Sequence, residues 1–277
     1  MSNEAQGEGA GGPAVETFGL VRRFGDFTAV DGIDLRVRAG AFFGFLGPNG
    51  AGKSTTIKML TGLLAPSAGR VSVLGRDLSA EPLEVKRRIG VVPEDLNLFE
   101  RLTGAEMLSF TGRMYGVSRA EIEERAPELL ELMELDTEPR KLVVEYSHGM
   151  KKKLALACAL IHRPEILFLD EPFEGVDAVA SRTLKDLLAR LTSRGLTVFL
   201  TSHVLEIVER LCTDIAVISE GRLVAAGPLE ELRRGIAVSG GEEAGTSGAD
   251  SLSLEDYFIR VVGGARTDGA DVLQWLG

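Results

Sequence analysis

The sequence predicts an α/β fold with a helical lobe inserted between two strands of its sheet. Short apolar runs alternate with longer amphipathic segments, and this alternation is typical of strands that are separated by helices. From about residue 95 to 165 the apolar positions recur at helical spacing instead, which indicates the inserted lobe. The length of 277 residues is sufficient for one large domain of this kind with a sizeable core.

Polar, glycine-rich segments flank the predicted domain. Residues 1–14 contain neither a basic start nor an apolar stretch, so we expect a disordered tail and no signal peptide. Residues 236–250 have the composition of a flexible linker. Residues 251–277 contain SLEDYFIRVV, which is expected to form a short amphipathic helix in a C-terminal tail.

Short apolar runs are the candidate buried strands. They lie at 42–47, 88–93, 165–170, 196–202 and 213–219. After the last run, Glu220 and Gly221 are predicted to form a hairpin turn leading into one more strand.

The start of two helices can be read from capping boxes in the lobe. Thr103 with Glu106, and Ser118 with Glu121, have the spacing at which the two side chains cap each other's backbone amides. Within AEIEERAPELLELMEL, Pro127 is expected to break the helix or to start a new one, because proline lacks an amide hydrogen.

The charge balance and the cysteines restrict the class of protein. With 41 acidic and 31 basic side chains, the net charge of −10 disfavours a nucleic acid as the main partner. Cys158 and Cys212 lie in apolar surroundings without a metal-binding spacing, so we expect reduced core thiols of a cytosolic protein. No stretch approaches the roughly 18 apolar residues that a membrane span requires.

The segment GPNGAGKS at 47–54 matches the phosphate-binding pattern G-x-x-x-x-G-K-[ST]. It follows a strand-like run and precedes a helix-like run, which is the context that this motif requires. Glycines let the backbone fold around a phosphate, Lys53 is expected to reach the β- and γ-phosphates, and Ser54 is expected to bind Mg²⁺. The predicted nucleotide-binding residues of this loop are Gly47, Pro48, Asn49, Gly50, Ala51, Gly52, Lys53, Ser54 and Thr55.

Two acids follow the buried strand of EILFLDEP. Asp170 ends the strand and therefore lies at the rim of the sheet, where we expect it to hold the metal from the side opposite Ser54. Glu171 follows directly and is the candidate base that orients or deprotonates a water for attack on the γ-phosphate.

The segment YSHGMKKK at 146–153 allows several interpretations. Ser147 and His148 could belong to a hydrolase triad, although neither an elbow turn nor a third partner is visible. Because the segment opens a helix, its amides and Ser147 could instead grip a phosphate. The run Lys151–Lys153 is either a solvated face or a source of positive potential near phosphates.

With these motifs in place, the chain resembles the ATP-binding subunit of an ABC transporter from about residue 15 to 230. The resemblance implies a P-loop NTPase core of RecA-like type, with an N-terminal antiparallel β subdomain and an inserted α-helical subdomain. On this basis, the ATP-binding cassette is expected to span residues 15–235, and its helical subdomain about 95–165.

The resemblance also assigns roles to single residues. YSHGM occupies the place of the signature motif LSGGQ and is similar to a variant of exporter-type members, so that Ser147 and Gly149 are implied to bind the nucleotide of an opposing subunit. Tyr146, His148 and Met150 depart from the usual motif.

Further roles follow from the order of the family's motifs. The resemblance implies that Phe24 stacks on adenine, that His203 contacts the γ-phosphate as a catalytic residue, and that Asp177 is the D-loop aspartate. Glu94 stands where the family usually has glutamine, and its oxygen can still coordinate Mg²⁺.

The expected function is therefore ATP binding and hydrolysis that drives a separate transmembrane permease, in the direction of export. The implied cofactors are ATP and Mg²⁺, and the implied partners are the permease and a second cassette, with no nucleic acid. The implied location is cytoplasmic, on the inner face of the cell membrane through the permease. Two alternatives are a soluble ATPase acting on nucleic acid or ribosomes and a nucleotide switch without hydrolysis. A G protein is excluded because N-K-x-D is missing.

Overall fold

A computed structural model describes residues 12–233, which form two β-sheets and the helices packed against them. The predicted linker at 236–250 and the C-terminal tail at 251–277 lie outside the described residues. Of the predicted N-terminal tail at 1–14, Pro13 already belongs to the first strand, so that the prediction extended slightly too far. No helix between residues 12 and 233 is long and apolar enough to cross a membrane.

The first sheet is antiparallel and confirms the expected N-terminal β subdomain. Its strand order is β2-β1-β4-β5. The strands are β1 Pro13–Phe24, β2 Phe27–Arg38, β4 Ala68–Val73 and β5 Arg76–Asp77.

The second sheet has six strands in the order β10-β9-β3-β8-β7-β6, and only β10 runs antiparallel to its neighbour. The strands are β3 Phe42–Leu46, β6 Ile89–Val92, β7 Ile166–Asp170, β8 Thr197–Ser202, β9 Asp214–Ser219 and β10 Arg222–Pro228. All five runs chosen from the sequence are thus confirmed as strands. The turn at Glu220 and Gly221 is also confirmed, and both residues have positive φ angles.

The parallel strands are buried on both faces because a core lies on each side of the sheet. Along β7, Leu167 and Leu169 contribute to the core beneath the helices, whereas Phe168 contributes to the core shared with the antiparallel sheet. In that second core, the ring of Phe199 packs against Phe43, Phe45 and Phe168 at centroid distances of 5.4, 5.6 and 5.5 Å. This two-sided burial explains why the strands are apolar runs without alternation.

The helices complete the architecture, and several of them lie in the predicted lobe between β6 and β7. The helices are α1 Lys53–Leu60, α2 Pro82–Arg88, α3 Gly104–Met114, α4 Arg119–Leu132, α5 His148–Leu160, α6 Ala178–Ser193, α7 Leu205–Leu211 and α8 Leu229–Arg233. A short 3₁₀ helix at Val143–Glu145 precedes α5. Both predicted capping boxes are present, at the starts of α3 and α4.

The prediction for Pro127 was wrong, because α4 continues through this residue without interruption. Pro127 is exposed, whereas the neighbouring Ala126 is buried and Ile122 lies one turn earlier on the buried face. The hydrogen bond that proline removes is therefore on the solvent side, where water can hydrate the free carbonyl. The packing of the buried face holds the helix together across the gap.

Candidate functional site

The loop between β3 and α1 is a cradle that only glycine can form at two positions. A Cβ on Gly47 would lie 2.4 Å from the carbonyl oxygen of Ile218, and one on Gly52 would lie 2.5 Å from that of Ala29. Gly52 also has a φ of 107° and is the N-cap of α1 without a capping side chain. The first amides of α1 are therefore left for an anion, as phosphate binding at a helix start requires.

Lys53 is buried at the base of this cradle. Its Nζ donates hydrogen bonds to the carbonyl oxygens of Gly47 at 2.8 Å and Pro48 at 3.3 Å. The same Nζ lies 3.5 Å from Oε1 of Glu171. The Lys53 ammonium group is thus held inside the loop by carbonyl and carboxylate oxygens. Phosphate oxygens of a bound nucleotide can take the place of these partners or add to them.

The three predicted metal ligands lie together, because the carboxylates of Asp170 and Glu94 both approach the hydroxyl of Ser54. Its Oγ lies 3.3 Å from Oδ1 of Asp170 and 3.4 Å from Oε2 of Glu94. Asp170 also accepts a hydrogen bond of 2.6 Å from Thr201 Oγ1, which fixes its orientation. This set of hard oxygen donors suits Mg²⁺, which usually takes few protein ligands together with phosphate oxygens and water. Consistent with so small a set, residues 12–233 contain no metal-binding group of three or more His, Cys, Asp or Glu side chains.

Glu171 directly follows β7 and is buried, although it carries a carboxyl group. Its φ is 45°, a left-handed conformation that is costly for residues other than glycine, and its amide donates to Thr201 Oγ1 at 3.0 Å. Oε2 lies 3.1 Å from Nδ1 of His203, whereas Oε1 has the Lys53 ammonium at 3.5 Å but accepts no hydrogen bond from the described residues. Such a buried carboxylate oxygen can accept a hydrogen bond from a bound water.

Many of these residues line one cleft of about 440 Å³, a volume that is suitable for a small-molecule ligand, although Gly47 and Asp170 are not among its lining residues. Most of the predicted nucleotide, metal and catalytic residues are thus brought together. The cleft is lined by Phe27, Ala29, Pro48, Asn49, Gly50, Gly52, Lys53, Ser54, Thr55, Glu94, Glu171, Glu174 and His203. The sequence analysis missed Phe27, Ala29 and Glu174.

Phe24 is not among the lining residues. It pairs with Phe27 across the β1–β2 hairpin, and the guanidinium group of Arg22 lies 4.5 Å from the centroid of its ring. Side chains two residues apart on a strand lie on the same face, and Phe27 and Ala29 of β2 both line the cleft. This two-residue period is the sequence signal that could have identified Phe27. The assignment of adenine stacking to Phe24 stays a prediction.

The signature residues and Asp177 form a second group, which does not line the cleft. Ser147 caps α5 and accepts a hydrogen bond from the amide of Met150, and Asp177 caps α6 in the same way. Hydrogen bonds from the amides of Ala180 and Val179 lower the pKa of the Asp177 carboxyl. Gly149 faces this carboxylate, since a Cβ on it would lie 3.5 Å from Oδ2 of Asp177.

The hydrolase triad finds no support in this geometry. Among residues 12–233 no hydrogen bond joins Ser147 to His148, and the ring of His148 packs against Gly175 instead. A carboxylate does lie beside a histidine in the cleft, but these residues are Glu171 and His203, and neither belongs to the YSHGM segment.

The lysine run is not a solvated face, so that this alternative was wrong. Lys152 and Lys153 are buried, and Lys151 is only partly exposed. Lys153 pairs with Glu134 at 2.5 Å, and Lys151 pairs with Glu100 at 3.3 Å. Lys152 donates to the backbone oxygen of Glu171 at 3.0 Å, so that one member of the run contacts a residue that lines the cleft.

A phosphate loop, a carboxylate suited to metal binding and a buried acid at the rim of a parallel sheet are the features of proteins that hydrolyse nucleoside triphosphates. The family model of the ABC transporter matches residues 30–174, just over half of the chain. The chain therefore belongs to the ABC transporter family, as an ATP-binding and ATP-hydrolysing subunit.

Curated relatives and solved structures agree with this assignment. The chain is 44% identical to the daunorubicin/doxorubicin resistance ATP-binding protein DrrA of Streptomyces peucetius, over 79% of this chain and 67% of that protein. It is 42% identical to the Nod factor export ATP-binding protein I of Rhizobium sp. (strain N33), over 77% and 70% of the two chains.

Among solved structures, an ATP-binding subunit of an ABC transporter matches with a TM-score of 0.78 and 30% identity, over 90% of this chain and 99% of that chain. A dimeric ATP-binding cassette in a post-hydrolysis state, bound to ADP and Pi, matches with a TM-score of 0.70 and 25% identity, over 78% and 98%. These structures confirm the expected fold class.

Proposed function

We propose that residues 15–235 form a cassette that closes with a second cassette around two ATP molecules. In each site, one chain supplies the phosphate loop and the other supplies Ser147, Gly149 and Asp177. The single observation that carries this proposal is the separation of the two groups in one chain. Lys53, Glu171 and His203 line the cleft, whereas the signature serine lies outside it at the exposed start of α5.

Within the cleft, each side chain has a chemical task. The amides of the loop and Lys53 bind the phosphates, and Phe24 at the hairpin tip stacks on adenine. Ser54, Asp170 and Glu94 hold Mg²⁺, which neutralises charge on the β- and γ-phosphates when it is bound.

Hydrolysis requires a water that is aligned with the γ-phosphorus. Glu171 accepts a proton from this water as its oxygen forms a bond to phosphorus and the bond to the ADP oxygen breaks. His203 holds the Glu171 carboxylate from the opposite side and contacts the γ-phosphate. The products are ADP and inorganic phosphate, and their release opens the pair of cassettes. Nucleotide binding favours the closed pair of cassettes over the open pair. The permease is attached to the cassettes, so closing and opening of the pair changes the conformation of the permease.

The export direction and the location rest on the relatives. DrrA is a drug-resistance protein by name, and the Nod factor protein is an export protein by name. Both properties suit a subunit that sits on the inner face of the cell membrane, where ATP is available, and is attached there through its permease.

The helical subdomain offers a surface for that permease. The rings of Phe99 and Phe110 pack edge to face with a centroid distance of 4.9 Å and are 54% and 42% exposed. Met114, on the same helix α3 as Phe110, is 71% exposed. Exposed apolar side chains in a cluster are typical of an interaction surface.

The test is to tag the chain in native membranes, extract it in mild detergent and identify the proteins that co-purify. We expect a polytopic membrane protein in a stoichiometric amount, and its release by Phe99→Glu together with Phe110→Glu. Ribosomal proteins or nucleic acid without a membrane protein would favour the soluble ATPase instead.

A further inference from the structure

We propose a positioning role for Lys152, which follows the signature motif YSHGM. Its ammonium group holds the backbone of Glu171 in the conformation that hydrolysis needs. The inference rests on the proposed function in taking Glu171 as the residue that accepts the proton. It adds a residue of the signature helix to the hydrolytic site of the same chain.

Lys152 is buried to an extent that is unusual for a lysine, with 3% of its surface exposed. It lies in the second turn of α5 and lines a small, mostly apolar cavity. The other apolar residues that line this cavity include Val92, Leu156, Leu169, Phe173, Leu184 and Leu188. A lysine that only served solubility would extend into water, so this burial requires a partner at its end.

That partner is the carbonyl oxygen of Glu171, which accepts a hydrogen bond from Lys152 Nζ at 3.0 Å. The amide of Glu174 donates to the same oxygen at 3.3 Å, and the amide of Glu171 itself donates to Thr201 Oγ1. Both polar groups of the Glu171 backbone are therefore held by partners from other elements. Because Glu171 has a φ of 45°, which is costly for a residue other than glycine, it needs such support to keep this conformation.

The charge of Lys152 is also placed where carboxylates accumulate. Burial lowers the pKa of Lys152, and the negative charges of four acids oppose this shift. These acids are Glu174, Glu94, Asp170 and Glu171. Glu94 adds one negative charge relative to the glutamine that is usual at its position, and Lys152 supplies a positive charge in the same region. The hydrogen bond and the charge therefore act on the same loop.

The position of Lys152 within α5 has a mechanical consequence. Helix α5 begins at His148, directly after its cap Ser147, so Ser147 and Lys152 lie within two turns of one helix. A contact from Lys152 to Glu171 therefore ties the carboxylate of one site to the helix that presents Ser147 to the opposing nucleotide.

The experiment replaces Lys152 by methionine, which keeps the volume of the stem and removes the donor and the charge. We expect Lys152→Met to lower the kcat of ATP hydrolysis about 10- to 100-fold, the range for a misplaced catalytic group, while the Kd for ATP changes less than about threefold. Lys152→Arg, which can still donate to the carbonyl, is expected to restore part of the activity. The control is Lys141→Met, a lysine outside the cleft whose partner is Glu138, and it should leave kcat unchanged.

A double variant distinguishes positioning from a general loss of structure. In a Glu171→Gln background, Lys152→Met should reduce the residual turnover no further, because the carboxylate that it positions is already absent. Equal reductions in both backgrounds, or a kcat that Lys152→Met leaves unchanged while Glu171→Gln lowers it, would overturn the role of Lys152 alone. Normal turnover of Glu171→Gln would overturn the proposed function, and the role of Lys152 with it.

Discussion

Oε2 of Glu171 lies 3.1 Å from Nδ1 of His203, and each residue follows the end of its strand. The two strands, β7 and β8, are parallel neighbours in the sheet. Their carboxyl ends therefore meet at one edge, which is where ligands bind in α/β folds. This contact brings together the two residues to which we assign the hydrolytic step.

The first prediction concerns Glu171 as the proton acceptor. Glu171→Gln keeps the shape of the side chain and removes its basicity, so turnover should fall by roughly 10²- to 10⁴-fold while ATP binding persists. Steady-state phosphate release and ATP titration measure the two quantities. Glu165→Gln, whose partner Arg88 lies at the opposite end of β7, is the control and should keep normal turnover. Near-normal turnover of Glu171→Gln would remove Glu171 from this role.

The second prediction concerns the support that His203 gives to Glu171. His203→Ala leaves Oε2 without its partner and removes a contact to the γ-phosphate, so we expect a fall in kcat of about 10²-fold. The Kd for ATP, measured by calorimetry, should change much less. His162→Gln is a control on another histidine, which stacks on Tyr115 away from the cleft. An effect confined to the Kd would contradict a role in the hydrolytic step.

The third prediction tests the sandwich of two cassettes. Ser147 is exposed at the start of α5, and an arginine there would fill the space that an opposing nucleotide needs. In a Glu171→Gln background, which retains ATP, Ser147→Arg should abolish the dimer that sedimentation velocity detects on ATP addition. Ser193→Arg, at the exposed end of α6, should leave the dimer intact. A variant at Ser147 that still dimerises would refute the role of YSHGM.

The fourth prediction concerns Glu94, whose Oε2 lies 3.4 Å from Ser54 Oγ. Glu94→Gln restores the residue that the family usually has and removes one negative charge beside the magnesium site. The Mg²⁺ concentration for half-maximal activity should rise roughly three- to tenfold, which corresponds to about 1 kcal/mol. Hydrolysis rates across a Mg²⁺ titration measure this value. A requirement that stays the same or falls would show that Glu94 does not contribute to the site.

The fifth prediction uses the two thiols. Burial raises the pKa of Cys158 to about 11 and raises that of Cys212 further. Only the thiolate reacts with alkylating reagents, so that neither cysteine should react appreciably with iodoacetamide at pH 8 in the folded protein. Both should react after denaturation in urea, which serves as the control. Rapid labelling of the native chain would contradict the burial of these residues.

The sequence by itself determined the elements and the chemistry of the phosphate loop. Strands buried on both faces must be apolar throughout, so that all five runs were recognisable without any knowledge of their neighbours. Capping boxes, the hairpin turn and GPNGAGKS depend on contacts between residues close in sequence, and these local rules act in any fold.

Only the tertiary structure decided the features that depend on neighbours far along the chain. Pro127 stays within α4 because packing of the buried helix face outweighs the loss of one hydrogen bond on the solvent side. Phe27 reaches the cleft because the hairpin folds back over the phosphate loop. Lys152, which the sequence left as one of three similar lysines, is buried because the carbonyl of Glu171 lies at the end of its side chain. Residue propensities and motif spacings in the sequence do not reveal such contacts. The contacts form only when strands and helices that are distant in sequence pack together.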